Sequence, residues 1–302
     1  MLIPQAMTDL NHLEDSLKPS SIYSVNDRTL LENLINYSSR FILRYTNRSK
    51  VKYHTVTDQY TGDGTDVLLL HDIPVISISS VYMDANRAFG SDSLVETDYY
   101  VLEESEYGQI RFINKAASPD ILSIKVTYVA GYSSFPVFTG YSDQLTLTED
   151  TTSFTVNLNQ GDYTASSLAT EFQTRLNAAG AYNYTVSFSE ASQRLAISAG
   201  SAFSLSWSGT REEECARVLG FDIDSTQTSA TVQYSDFPLL GIPADLIGLC
   251  NAFVLWRYEE VKERRSGKFS ESRGDSSYSF DYSNIPNYVR ETLDQYRLIN
   301  MK

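Results

Sequence analysis

Two stretches with helical periodicity, one near each end of the chain, bracket a long middle that alternates with a period of two. Residues 27–45 place Leu30, Leu31, Leu34, Ile35, Ser38, Phe41, Ile42 and Tyr45 at the three- and four-residue spacing of one buried helix face. Asp27 is positioned to cap this helix, because its carboxylate can accept from the unpaired N–H groups of a first turn. Residues 244–263 form the second stretch. Pro243 suits a helix start, and Leu246, Ile247, Leu249, Cys250, Phe253, Val254 and Val261 supply the apolar side, with Trp256 and Tyr258 at its flanks. Each helix needs a partner for a wide apolar stripe, and the two are expected to pack on each other. The chain between them must then leave this helical core and return to it.

The first part of that excursion reads as strands. Val51, Tyr53, Thr55 and Thr57 alternate, and Val67–Leu70, Ile76–Met83, Tyr99–Leu102, Gln109–Ile113 and Ile121–Val129 follow. Gly62-Asp63-Gly64, Asp84-Ala85-Asn86, Tyr107-Gly108 and Ser118-Pro119-Asp120 supply turns between them. Composition then shifts. Residues 139–240 contain no lysine, and their 12 acids against four arginines carry −8 of the chain's −14. Gln144–Leu147 and Phe154–Leu158 read as strands. Thr164 caps a helix with Leu168, Phe172, Leu176 and Ala179 on one face. Thr185–Phe188, Leu195–Ser198 and Phe203–Trp207 alternate again. Thr210, with Glu213 three residues on, has the spacing of a capping box, and Gly220 permits a turn while Leu219 and Phe221 fill a core.

The expected fold is therefore α+β. A helical bundle core, built from the helices at 27–45 and 244–263 and a C-terminal helix, carries a small antiparallel β-unit and an inserted small α/β domain. The expected domains are a discontinuous core of residues 1–138 plus 239–302 and an insert of residues 139–238. About 100 residues is an ordinary domain size, and insertions are tolerated at exposed loop tips.

Several function classes fall away. An acidic chain lacks the basic face of a nucleic-acid coat or an anionic-membrane binder. No apolar run approaches the roughly 18 residues of a membrane span. Met1-Leu2-Ile3-Pro4-Gln5 puts no basic stretch before an apolar run, so no signal peptide is expected. Cys215 and Cys250 form no disulfide framework, so a soluble chain made in a reducing cytoplasm is expected. His12, His54 and His71 sit in three contexts without metal-ligand spacing, read as two exposed histidines and one at a strand end. Thr61-Gly62-Asp63-Gly64-Thr65 lacks the lysine of a phosphate-binding loop and reads as a turn. No nucleophile–base set is visible. The expectation is a non-enzyme with no catalytic residues, cofactor or metal.

Six stretches, in order, resemble the head-tail connector (adaptor, head-completion) proteins of tailed phages. They are Leu30-Leu31-Glu32-Asn33-Leu34-Ile35 leading to Tyr45; Tyr60-Thr61-Gly62-Asp63-Gly64-Thr65 with Ile73-Pro74-Val75; Val126-Thr127-Tyr128-Val129-Ala130-Gly131-Tyr132; Ile242-Pro243-Ala244-Asp245-Leu246; Ser270-Glu271-Ser272-Arg273-Gly274-Asp275; and Pro286 to Arg297. The resemblance covers about 200 residues in two pieces. The insert resembles a phage structural and decoration module, through Tyr163-Thr164-Ala165-Ser166-Ser167-Leu168-Ala169 and Val218-Leu219-Gly220-Phe221.

The resemblance implies a virion protein of the neck, at the head-tail interface, assembled in the host cytoplasm. It implies a dodecameric ring beneath the portal protein, meeting a downstream neck or tail-completion protein. Genomic DNA would pass through its lumen during genome packaging without specific binding, and no membrane would be involved. The C-terminal segment at about 266–302 is expected to dock on the portal. The partner-interface candidates are Arg264, Arg265 and Lys268, which lie past most of the acids able to pair with them, and Phe269, Tyr278, Phe280, Tyr282, Tyr288, Tyr296 and Arg297. The alternative is a neck, fibre-attachment or host-adhesion protein whose insert binds a fibre, whisker or glycan.

Overall fold

The computed structural model describes residues 1–17, 27–225, 227–262, 270–273, 276–279 and 287–298. The chain divides into two compact units, residues 50–133 and residues 1–49 together with 134–302. Residues 139–238 fall in the unit that also holds the terminal helices.

Residues 50–133 hold seven strands: β1 (His54–Tyr60), β2 (Val67–Leu69), β3 (Val75–Met83), β4 (Leu94–Val95), β5 (Tyr100–Glu104), β6 (Gln109–Phe112) and β7 (Ile124–Ala130). They form two antiparallel sheets, ordered β1-β7-β3-β4 and β2-β6-β5. Alternate residues point inward, as the period-two reading requires, and Leu68, Val75, Val81, Ile110, Phe112, Ile124, Val126 and Tyr128 make one core. Gly131 ends β7 at φ +96, where a Cβ would lie 2.3 Å from the Lys52 carbonyl oxygen, so only glycine lets the two backbones meet.

The loop after β2 is tied to the sheet by polar groups. The Tyr60 and Tyr128 hydroxyls are 3.1 Å apart and accept from the backbone N–H groups of His71 (3.3 Å) and Asp72 (3.1 Å). His54 is buried, with Nδ1 2.7 Å from the Lys52 carbonyl oxygen and Nε2 3.2 Å from Asp72 Oδ2. His71 is exposed beside Asp58.

The other unit begins with α1 (Leu10–Leu17) and α2 (Arg28–Tyr45). After residue 133 come β8 (Phe135–Val137), β9 (Gln144–Glu149), β10 (Thr152–Asn157), β11 (Gly161–Tyr163), α3 (Ala165–Ala179), β12 (Tyr184–Ser189), β13 (Arg194–Ser206), α4 (Thr210–Leu219) and β14 (Ala230–Tyr234). The last elements are α5 (Ala244–Lys262), β15 (Ser270–Arg273), β16 (Ser276–Ser279) and α6 (Asn287–Gln295).

A five-stranded sheet joins β10, β9, β13, β12 and β14, and α3 and α4 bury Leu168, Phe172, Leu176, Cys215 and Leu219 in the same core as its strands. The expected pair of strands at 195–198 and 203–207 is one strand, β13. Its first half pairs with β12 and β14, and its second half with β9, across an irregularity between Ser198 and Phe203. Thr164 caps α3 through a reciprocal box with Ser167, and Gly220 ends α4 in the left-handed region at φ +75. The expected cap at Thr210 shifts: Gly209 is the N-cap, and Glu212 reaches back to the Ser208 N–H at 2.6 Å. Arg211 grips Asp143 through two bonds of 2.6 and 2.7 Å, which ties α4 to the start of β9 and holds the Asp143 carboxyl below the usual carboxylate range.

A helical bundle core is not what forms. The described residues are β-rich, with four antiparallel sheets holding 14 strands, plus the β15–β16 hairpin, against six α-helices. Helices α2 and α5 do pack on each other, with Ser39 Oγ 3.8 Å from Cys250 Sγ. But α1 and α6 add only eight and nine residues, too few to close a bundle. A large core instead lies between the five-stranded sheet and α3 and α4. No helix among the described residues is long and apolar enough to cross a membrane. Cys215 and Cys250 are buried and not joined in a disulfide, and burial pushes the Cys215 thiol up.

The module is tied to α1 and α2 by side chains that read its turns. Asn11 Nδ2 donates to the Phe221 carbonyl at 2.7 Å, and Asn11 Oδ1 accepts from the Ile223 N–H at 3.3 Å. Arg28 Nη2 lies 2.5 Å from Asp222 Oδ2.

Asp9 caps α1, accepting the His12 N–H at 3.0 Å, and the same oxygen lies 2.8 Å from His12 Nδ1. His12 is half-buried, not exposed as expected. Burial alone pushes the His12 pKa down. The Asp9 charge and hydrogen bond outweigh that, Glu214 adds to them and Arg217 opposes, so the net shift is upward. A pKa raised on folding stabilises fully below the unfolded value and is lost as pH rises through the folded one. Unfolding measured by urea across pH 6 to 9 is therefore expected to show a fall in stability that His12→Gln abolishes. An identical profile in the variant would refute the linkage.

Candidate partner interface

Helix α2 has two unlike faces. Leu31, Ile35, Ser38, Ser39, Ile42 and Leu43 are buried, and the small Ser38 and Ser39 let α5 and the N-terminal segment approach. Met7 N–H donates to Ser39 Oγ at 3.0 Å. Leu30, Leu34, Phe41 and Tyr45, expected on the buried face, are only half-buried. Ser38 is buried as expected, and the face is rotated relative to the sequence reading because Ser39, which carries no hydropathy signal, and Leu43 are buried as well.

The other face carries Tyr37, Arg40 and Arg44 in an exposed stripe, with Phe41 and Tyr45 along its edge. From α5, Phe253 lies 5.1 Å from the Phe41 ring and stacks at 5.7 Å on Trp256. The Arg257 guanidinium lies over both Tyr37 (5.2 Å) and Trp256 (5.1 Å), and it donates to the Tyr37 hydroxyl at 3.1 Å and to Glu260 at 2.6 Å. Arg257 thus pairs with an acid one turn on in the same helix.

The ladder continues toward the C-terminal helix. The Tyr45 hydroxyl donates to Asp294 at 2.9 Å, and burial with this carboxylate raises its pKa. Arg297 lies 6.0 Å from the Tyr45 ring centre. Tyr296 donates its hydroxyl to Asp245 at 2.5 Å, its carbonyl accepts from Arg48 at 3.0 Å, and Leu298 N–H donates to the Thr46 carbonyl at 2.9 Å. These bonds seat the end of the described chain on the C-terminus of α2. Asp27 has no capping bond to α2. Its carboxylate accepts instead from the Tyr258 hydroxyl at 2.9 Å, and burial with this carboxylate pushes Tyr258 up to about 12.

The expected interface residues divide accordingly. Tyr296 and Arg297 join the ladder. Tyr278 lies in β16, where its backbone pairs with Glu271, and Tyr288 lies in α6. Arg264, Arg265, Lys268, Phe269, Phe280 and Tyr282 lie outside the described residues. Sequence reasoning missed Tyr37, Arg40 and Arg44 as interface candidates, and it read Phe253 only as part of the apolar side of its helix. The signal of the first three was present in the 37–40–44 spacing, which marks a second stripe on α2.

A second feature is an open groove of about 480 Å³ lined by Arg28, Glu32, Arg194, Asp222, Tyr234 and Asp236. Its charges satisfy one another: Arg28 holds Asp222, and Asp236 Oδ2 accepts from the Asp222 N–H (2.9 Å) and Gln227 (2.8 Å). No metal-binding cluster occurs among the described residues. Aromatic rings and arginine, half desolvated and mutually ordered, are the side chains that dominate protein–protein binding energy, and the α2–α5 ladder concentrates them. Compared with known proteins, the chain matches no family model and no curated protein.

Proposed function

We propose that this chain is a structural assembly protein, a head-to-tail adaptor that forms a ring beneath a phage portal, extends the DNA channel and joins capsid to tail. The observation that carries the reading is the α2–α5 pair. These two helices hold two of the sequence stretches that resemble adaptors, and they present the Tyr37–Arg257–Trp256 ladder that runs to Tyr296 and Arg297. Rings are built from heterologous contacts closed by rotation, which need such an ordered, aromatic-rich face. The acidic balance of the chain favours passage of DNA over its retention.

The second reading, a fibre-attachment or host-adhesion protein, is supported by the separate core of the acidic module. Native mass spectrometry of the purified chain, alone and with its portal protein, separates the two. The adaptor reading expects a closed ring in the presence of the portal. A stable trimer indifferent to the portal would sink that reading and favour the second.

A further inference from the structure

Arg40 and Arg44 are exposed and make no ion pair or hydrogen bond among the described residues. They follow Tyr37, which is 47% exposed, along the outer stripe of α2. The 139–238 module has the opposite surplus. All four of its arginines are engaged within its own unit: Arg175 with Glu171 (2.7 Å), Arg211 with Asp143 (2.6 Å), Arg217 with Glu214 (3.6 Å), and Arg194 with the Ser235 carbonyl (3.4 Å). Asp150, Asp162 and Glu213 have no cation partner among the described residues. The module and α2 belong to one unit, yet the module's acids do not reach Arg40 or Arg44 of the same chain.

We propose that the Tyr37–Arg40–Arg44 stripe of one copy docks on the acidic 139–238 module of a second copy. The inference rests on the assembly reading above and gives it one specific subunit contact. Complementary charge orients the encounter, and the aromatic edge of Tyr37, Phe41 and Trp256 supplies the area that excludes water. A nucleic-acid partner for the stripe is disfavoured, because the chain's −14 repels phosphate.

The test places a photo-crosslinking p-benzoylphenylalanine at Tyr37 and mixes equal amounts of ¹⁴N and ¹⁵N full-length chain, with and without the portal protein. Mixed-isotope crosslinks from position 37 into 139–238 are expected. The double variant R40E/R44E should lower their yield about tenfold, while R40K/R44K keeps it, as charge steering requires. Crosslinks that stay within one isotope, that map to the portal or to other segments, or that are unchanged in R40E/R44E would overturn the contact. A ring that forms in native mass spectrometry without these crosslinks refutes this contact alone and leaves the adaptor reading intact. Both variants change only exposed side chains, and circular dichroism checks that they fold.

Discussion

Glu149→Ala is expected to destabilise the protein by about 3 kcal/mol, because it strips a buried carboxylate from three donors at once. Glu149 ends β9 at 4% exposure. Its Oε1 accepts the N–H groups of Ala181 (2.9 Å) and Tyr182 (3.1 Å) and the Tyr184 hydroxyl (2.8 Å). These donors belong to the turn that follows α3 and the first residue of β12, so one side chain joins β9, α3 and β12. Alanine leaves two backbone N–H groups and a phenol without acceptors where water cannot easily follow. Glu149→Gln keeps one acceptor oxygen and should cost roughly half as much, since the neutral amide forms weaker bonds and brings an unmatched donor. Urea unfolding at unchanged m measures both. A loss below about 1 kcal/mol for the alanine variant would show that water replaces the carboxylate.

Phe253→Ala is expected to cost about 3–5 kcal/mol, the range for removing a buried aromatic ring. Phe253 is buried and lies between Phe41, Tyr37 and Trp256. Removing it opens a cavity between α2 and α5 and deprives Trp256 of its stacking partner. Tyr37→Ala, on the exposed side of the same ladder, should cost under about 1 kcal/mol. Phe253→Leu should fall between them, because most of the volume is kept. The near-ultraviolet dichroism of Trp256 should collapse in Phe253→Ala and persist in Tyr37→Ala. Equal costs for the two alanine variants would show that α2 and α5 are held together elsewhere. The contrast bears on function. Phe253 sets the shape of the proposed interface from beneath, while Tyr37 acts at its surface, so Tyr37→Ala should weaken assembly at nearly unchanged stability.

Much of the architecture was legible as local pattern. The Thr164 cap of α3, the Gly220 turn, the alternation of β3, β7 and β9, and the pairing of the helices near residues 30 and 250 all follow from spacing and residue chemistry. The candidate site was legible only in part. Tyr296 and Arg297 were named through the resemblance of the C-terminal stretch, whereas Tyr37, Arg40 and Arg44 lie off the apolar stripe of α2 and carry no hydropathy signal.

Local sequence therefore determined which segments are helices and strands and where several of them stop. Periodicity records whether a position meets water, and caps record unpaired N–H groups, and both act within a few residues. The tertiary structure alone decided which neighbour each buried face meets. It turned α2 so that Ser39 and Leu43 face inward, moved Asp27 from a cap to a partner of Tyr258, paired His12 with Asp9 under the influence of Glu214 and Arg217, and bound the 139–238 module to α1 and α2 through Asn11 and Arg28. It also placed a large core between sheet and helix instead of among helices. These outcomes depend on groups hundreds of residues apart competing for the same volume and hydrogen bonds, and no window of sequence contains both competitors.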